Sequence, residues 1–341
     1  MRAAVLKQYG APLSVEEVDE PVINPNDVLV RVKACSLCGS DLKIASGKFP
    51  GTPLPHIPGH EIAGEVYKVG DHVTELSVGD HVVVYFYDTC GVCRYCKSGN
   101  DSLCENLRGH IGFNVNGGMA EFLKVPSSCL IPFKASISFA HAALMPDAIA
   151  TSYHALRTQG KLQKGEIAVV VGIGGLGLHA IQIAKALGAT VIAVDIDDRH
   201  LEKASELGAD LTLNSHRDNI SEAVRVKNSG KGADVVLDLV GQPKLIENGL
   251  NCLCPAGRFL VVGYDLTTGS FSIHAALLVL TEIKIIGCRA TNRKDLADVV
   301  KFVEENKIKP VIEDVLPLTE VNKAYEMLRD GKVMGRVVLE I

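Results

Sequence analysis

The chain has 341 residues, a formal net charge of −5 and 47% hydrophobic side chains, with aromatics at only 5% and no tryptophan. That length suits about two domains, and a Val/Ile/Ala-rich, aromatic-poor composition suits buried parallel sheet better than an aromatic sandwich. An acidic balance without a basic run argues against nucleic acid and anionic membrane as partners.

No stretch reaches the roughly 18 apolar residues of a membrane span, and the first residues lack the pattern of a secretory signal. Ten cysteines in such a chain predict reduced thiols and metal ligands, hence the cytoplasm.

Through about residue 148 the pattern is short alternating strands broken by glycine and proline, as at 27–32 and 81–85, which predicts an antiparallel, barrel-like β domain. Two motifs inside it carry chemistry. Cys38-Gly39-Ser40-Asp41 and Gly59-His60-Glu61 stand 22 residues apart from thiol to imidazole. Either residue alone reads as ordinary core; together a thiolate and an imidazole make half of a catalytic zinc sphere, which needs three protein ligands and one exchangeable position. Asp147 is the leading third donor, with Glu61 as its rival or as a fourth ligand that exchanges with water. Asp41 is placed to accept from the His60 ring N–H, the contact that fixes the tautomer of a ligating histidine.

Next along the chain, Cys90, Cys93, Cys96 and Cys104 form C-x2-C-x2-C-x7-C within a turn-rich lobe, 88–105. Four thiolates at short regular spacing read as a closed structural zinc site, over an iron–sulfur cluster, disulfides or unligated thiols, with metal replacing a core that the segment cannot build.

From 149 to 286 the texture becomes strand and helix in alternation, with apolar runs at 167–171, 190–195, 235–239 and 259–262, the pattern of a parallel sheet with crossover helices. The first run leads into Gly172-Ile173-Gly174-Gly175-Leu176-Gly177 and a helical stretch, 178–187. This places G-x-G-x-x-G between strand and helix, where it binds a dinucleotide pyrophosphate. Asp195 ends the next strand, 18 residues past Gly177. A carboxylate there accepts from the ribose hydroxyls and repels a 2′-phosphate, which selects NAD, while Arg199 nearby keeps NADP open. The remainder, 287–341, predicts a helix at 294–306 and a strand at 335–341 that returns to the first domain.

With these motifs in order, the chain resembles the zinc-dependent medium-chain alcohol dehydrogenases over essentially its whole length. Further matches are Gly64 and Gly70 after the His60 motif, Gly117-Gly118-Met119-Ala120-Glu121-Phe122, and Gly335-Arg336. The resemblance implies an α/β protein with a GroES-like catalytic domain (1–148 and 287–341) and a doubly wound Rossmann domain (149–286). It also implies two zinc ions per chain, Cys38 and His60 on the catalytic one, and the four cysteines on the structural one. Ser40 would hydrogen-bond the alcohol, Phe86 would line the substrate pocket, and Arg336 would approach the coenzyme pyrophosphate. Two departures stand out: the third ligand, often cysteine or glutamate, is Asp147, and the histidine that often ends the proton relay is Lys43.

The expected reaction is reversible hydride transfer between a small alcohol and NAD, in which zinc lowers the alcohol pKa. Secondary alcohols or polyols are favoured, with a primary-alcohol or threonine-type dehydrogenase as alternatives and a non-catalytic nucleotide-binding sensor as the distant one. Phe86 and Leu277 are read as an apolar pocket. The resemblance also implies self-association through an edge strand of the nucleotide sheet, which residues 271–280 could supply, with a homotetramer expected ahead of a dimer.

Overall fold

The computed structural model describes residues 1–264 and 269–341. It divides into two compact units, Met1–Ala150 with Asn292–Glu304 and Pro310–Ile341, and Thr151–Thr291 with Glu305–Lys309.

The first unit is built on a curled sheet. Its strands run in the order Ile312–Pro317, Arg336–Glu340, Asp27–Ser36, Glu61–Val69, His81–Val84 and Leu130–Pro132, with Phe122–Pro126 also paired to Asp27–Ser36. The pairings are antiparallel except that Ile312–Pro317 runs parallel to Arg336–Glu340. Asp27–Ser36 is rich in valine and buried along nearly its whole length, as expected of a strand covered on both faces.

Register here positions the chemistry. Ser36 pairs with Glu61, so the chain leaving one strand toward Cys38 lies beside His60 at the start of the next. Val338 pairs with the same Ser36, and Leu37 N–H donates to Val337 O at 2.9 Å, which brings the neighbouring Arg336 to the same end of the sheet.

The second unit is a six-stranded parallel sheet in the order Leu211–Asn214, Thr190–Asp195, Ile167–Val171, Ala233–Asp238, Leu253–Val261, Lys284–Gly287. In sequence order that is 3-2-1-4-5-6, the doubly wound dinucleotide-binding arrangement, with its switch point beside the first strand. All five residues of Ile167–Val171 are buried, and helix Gly177–Ala186 follows the glycine-rich turn.

Three expectations need correction. The second unit extends past 286 because Gly287 is still hydrogen-bonded sheet, paired with Val261. Residues 305–309 join it too, since Gln182 Nε2 donates to Lys309 O at 2.9 Å and Lys309 N–H donates back to Gln182 Oε1 at 2.8 Å. The proposed edge strand at 271–280 is instead coil leading to helix Ala275–Thr281, capped by His274 Nδ1 on the Ala276 N–H. A short apolar run does not distinguish strand from helix by periodicity, and the sheet's edge on that side is Lys284–Gly287. Among the described residues no helix is long and apolar enough to cross a membrane.

Candidate functional site

Cys38, His60, Glu61 and Asp147 are all buried, and one ligand atom from each lies within 4.8 Å of the others. Cys38 is the N-cap of helix Gly39–Ala45, where Asp41 Oδ2 accepts the Cys38 N–H at 2.8 Å and holds the thiol in place. The other oxygen of Asp41 lies 3.6 Å from His60 Nδ1, outside hydrogen-bond distance but near enough for charge attraction. Asp147 sits in the wide π-type turn Met145–Ile149, a helical distortion that often marks functional positions.

The three donors converge on one point. Asp147 Oδ2 is 3.4 Å from Cys38 Sγ and 3.6 Å from His60 Nε2. Zinc bonds of about 2.3 Å to sulfur and about 2.0–2.2 Å to nitrogen or oxygen put tetrahedral corners roughly 3.4–3.6 Å apart. Spacing and donor chemistry therefore both fit zinc.

Glu61 stands beside this set. Arg336 grips it, with Nε at 3.0 and 3.1 Å from its two oxygens and Nη2 at 2.7 Å from Oε1. Burial pushes the Glu61 carboxyl up to about 7, with Arg336 pulling it down and Asp147 pushing it up. Burial opposes charge on His60, but Asp41, Asp147 and Cys38 hold its pKa well above the ordinary value.

Arg336, expected at the coenzyme, is 4% exposed, and Nη2 also lies 3.6 Å from Asp147 Oδ2. Arg336→Met would leave two buried carboxyls without their counter-charge, at a cost of about 3–5 kcal/mol. Urea unfolding of the metal-free protein measures this, and adding Glu61→Gln should recover much of the loss. An unchanged midpoint would reject the clamp.

An aromatic wall that the sequence reading found only in part packs against His60. Phe86 meets the imidazole edge-on at 5.4 Å, and Phe113 lies at 4.7 Å. His110 stacks on Phe113 at 3.7 Å with an interplanar angle of 12°, and Phe49 packs on Phe113 at 4.9 Å. The segment carrying His110 and Phe113 is fastened to the His60 segment, since Gly118 N–H donates to Gly59 O at 2.9 Å and Met119 N–H to Pro58 O at 3.1 Å. A side chain at Gly112 would meet Gly59 O at 2.4 Å, so glycine there permits the close approach. The signal in the sequence was the cluster of glycines between Gly109 and Gly118 interleaved with ring residues.

Ser40 Oγ lies 3.9 Å from Cys38 Sγ. Lys43, on the same helix, lines a surface cleft of ≈ 390 Å³ with Leu42, Lys48 and Arg329. His56 is committed to Gly112 O at 3.1 Å. Leu277, read as a pocket residue, instead packs against the core of the second unit from helix Ala275–Thr281.

The four sulfurs of Cys90, Cys93, Cys96 and Cys104 lie within 4.8 Å of one another. Two of the separations are 3.5 Å (Cys93–Cys96) and 3.9 Å (Cys90–Cys96). Zn–S bonds of about 2.3 Å set tetrahedral edges of about 3.8 Å, so the set fits. Backbone N–H groups of Val92 and Cys93 pull the Cys90 thiol down to about 6. Burial and the neighbouring sulfurs push Cys96 up to about 12, a crowding that a cation would relieve.

In the second unit Gly172 has φ +91°, and a side chain at Gly177 would meet Gly172 O at 2.1 Å, so the turn closes only with glycine at both positions. A Cβ at Gly174 would meet nothing, which leaves the approach to that backbone open. Gly175 O receives His179 Nδ1 at 2.6 Å, and Leu176 directly precedes the following helix, with no side-chain cap. Asp195 Oδ2 accepts the Ile173 N–H at 2.6 Å, and Oδ1 accepts from Ile196 and Asp197 at 2.7 and 2.9 Å. Burial alone would raise its pKa; His200 and these backbone donors outweigh that and hold it low.

The family model for the alcohol dehydrogenase GroES-like domain matches residues 24–135, and that for zinc-binding dehydrogenase matches 175–305. An alcohol dehydrogenase of Geobacillus stearothermophilus is 39% identical over 343 residues, covering 100% of both chains. An acryloyl-coenzyme A reductase of Metallosphaera sedula is 33% identical over 342 residues, covering 99% of each. The crystal structure of an NAD-dependent alcohol dehydrogenase superimposes with a TM-score of 0.93 at 33% identity, covering 100% of each chain.

Proposed function

The chain belongs to the zinc-dependent medium-chain dehydrogenase/reductase family, and from that premise we propose that it is an NAD-dependent alcohol dehydrogenase with a catalytic and a structural zinc site. The observation that carries the reading is the convergence of Cys38 Sγ and His60 Nε2 on Asp147 Oδ2. We assign Cys38, His60 and Asp147 as the catalytic ligands, Glu61 as the adjacent carboxylate, and Cys90, Cys93, Cys96 and Cys104 as the structural set.

When bound, zinc supplies the Lewis acidity that lowers the alcohol pKa, and the nicotinamide accepts the hydride. The residues of the chain do the rest. Asp41 holds Cys38 and faces His60, and Ser40 accepts the alcohol proton as it passes its own on toward the coenzyme ribose hydroxyl. From there the proton leaves by the ribose hydroxyl and solvent, or by Lys43, which takes the place of the usual relay histidine on the same helix and lines a surface cleft. Phe86 and Phe113, with the His110 ring stacked on Phe113, present an aromatic wall that suits the carbon substituents of a small secondary alcohol, with polyols next. Gly172, Gly174, Gly175, Leu176 and Gly177 receive the pyrophosphate, and Asp195 the ribose. Arg336 is assigned to Glu61 and Asp147 ahead of the coenzyme. A cytoplasmic homotetramer completes the reading, with light scattering as its check.

The deciding experiment follows NADH absorbance across primary and secondary alcohols, diols, sugars and threonine, with NADH oxidation by ketones and by an enoyl thioester as the reverse arm. Secondary alcohols are expected to give the highest kcat/KM. Turnover of the enoyl thioester alone would replace alcohol oxidation with double-bond reduction.

A further inference from the structure

The loops after the second and third strands of the Rossmann sheet carry more charge than a ribose contact needs. Asp195, Asp197, Asp198, Arg199 and Arg217 fall within two short segments that are tied together. Asn214 Nδ2 donates to Ile196 O at 3.0 Å and to Asp198 Oδ1 at 2.9 Å, and Ser215 N–H donates to Asp195 O at 3.0 Å.

Each arginine is held in a two-pronged pair. Asp197 receives Arg199 Nε at 3.2 Å and Nη2 at 2.5 Å, while its Oδ1 also caps helix Asp198–Glu206 by accepting the Arg199 N–H at 2.9 Å. Asp198 receives Arg217 Nη1 at 2.9 Å and Nη2 at 2.7 Å.

In this fold an acid at the end of the second strand serves an unmodified ribose, and an arginine nearby accommodates a 2′-phosphate. This chain has the acid and two arginines together. We propose that Asp197 and Asp198 determine coenzyme choice by sequestering Arg199 and Arg217, so that NAD preference rests on three carboxylates and not on Asp195 alone. The inference depends on the dinucleotide reading above. Its physical basis is simple: a guanidinium already in a fork with a carboxylate must give up those bonds to receive a phosphate, and the carboxylates of Asp195, Asp197, Asp198 and Asp218 outnumber the two guanidiniums even with His200, 3.6 Å from Asp195, counted as a cation.

Asparagine keeps the cap and one acceptor oxygen, while it removes the charge and turns the other acceptor into a donor, so Asp197→Asn and Asp198→Asn each release their arginine without removing the helix cap. Fluorescence titration with NADH and NADPH gives the Kd ratio directly, without turnover. The double variant should move that ratio toward NADPH by about tenfold, less at high salt, and adding Arg199→Ala and Arg217→Ala should cancel the shift. Thermal unfolding confirms a folded protein, and Asp197→Ser offers a second cap-preserving change.

A ratio within about twofold of wild type in the folded double variant, or a shift that survives removal of both arginines, overturns the proposal. Wild-type protein that prefers NADPH, or binds neither coenzyme, overturns the NAD assignment itself and this proposal with it.

Discussion

Asp147→Ala is expected to lower turnover by about a thousandfold or more while leaving the four-cysteine lobe intact. The magnitude follows from the Lewis-acid contribution, several kcal/mol at about 1.4 kcal/mol per factor of ten. Asp147 Oδ2 is the point on which Cys38 Sγ and His60 Nε2 converge, at 3.4 and 3.6 Å. Without it, a thiolate and an imidazole remain, one ligand short of the three that catalytic zinc requires. Metal analysis should accordingly find one of the two donor sets empty. Asp147→Cys, which supplies a softer donor on a similarly short side chain, should restore metal and a share of the activity. Full metal content and normal turnover in Asp147→Ala would remove Asp147 from the ligand set and return Glu61 to it. That exchange would need Glu61 to leave Arg336, to which it is bonded at 2.7–3.1 Å.

Much of this site could be named from local pattern, and the part that could not has a common cause. Strands Ile167–Val171 and Thr190–Asp195 were legible because a buried parallel strand is a continuous apolar run ended by a glycine-rich turn or a polar residue. The cysteine lobe was legible because its ligands lie within fifteen residues. The Arg336–Glu61 clamp joins residues 275 apart in sequence. It depends on both Glu61 and Val338 pairing with Ser36, and no local periodicity encodes which strands become neighbours.

The same limit explains Leu277. Its apolar character was plain, but which core received it depended on residues 275–281 forming a helix. The His110–Phe113 stack depends on Gly112 approaching Gly59, a contact between segments that spacing alone does not connect.

Cys96→Ser tests the proposed structural zinc site, and the expected effect is on folding. The lobe has almost no core of its own: helix Arg94–Lys97 buries nothing, and the short turn Asp101–Leu103 buries only Ser102. Structural zinc contributes about 10–16 kcal/mol to small metal-dependent modules, so losing one of four ligands should unfold residues 88–105 locally and open them to limited proteolysis. Loss of one metal per chain should accompany this, with Cys38 and His60 still loaded.

The consequence should reach the reaction, though more weakly than for Asp147→Ala. Asp101 accepts the Tyr85 hydroxyl at 3.1 Å and the Arg293 N–H at 3.3 Å, and Tyr85 precedes Phe86, whose ring packs on His60. Releasing the lobe frees that end of the aromatic wall, and a misplaced positioning residue costs up to about a hundredfold. Cys252→Ser, which alters a buried thiol in the other unit, should leave zinc content and protease resistance at 88–105 unchanged. A Cys96→Ser protein that kept both metals and resisted cleavage at 88–105 would show that the lobe is held by its polar contacts, Arg108 to Asp88 at 2.7 Å among them, and not by metal.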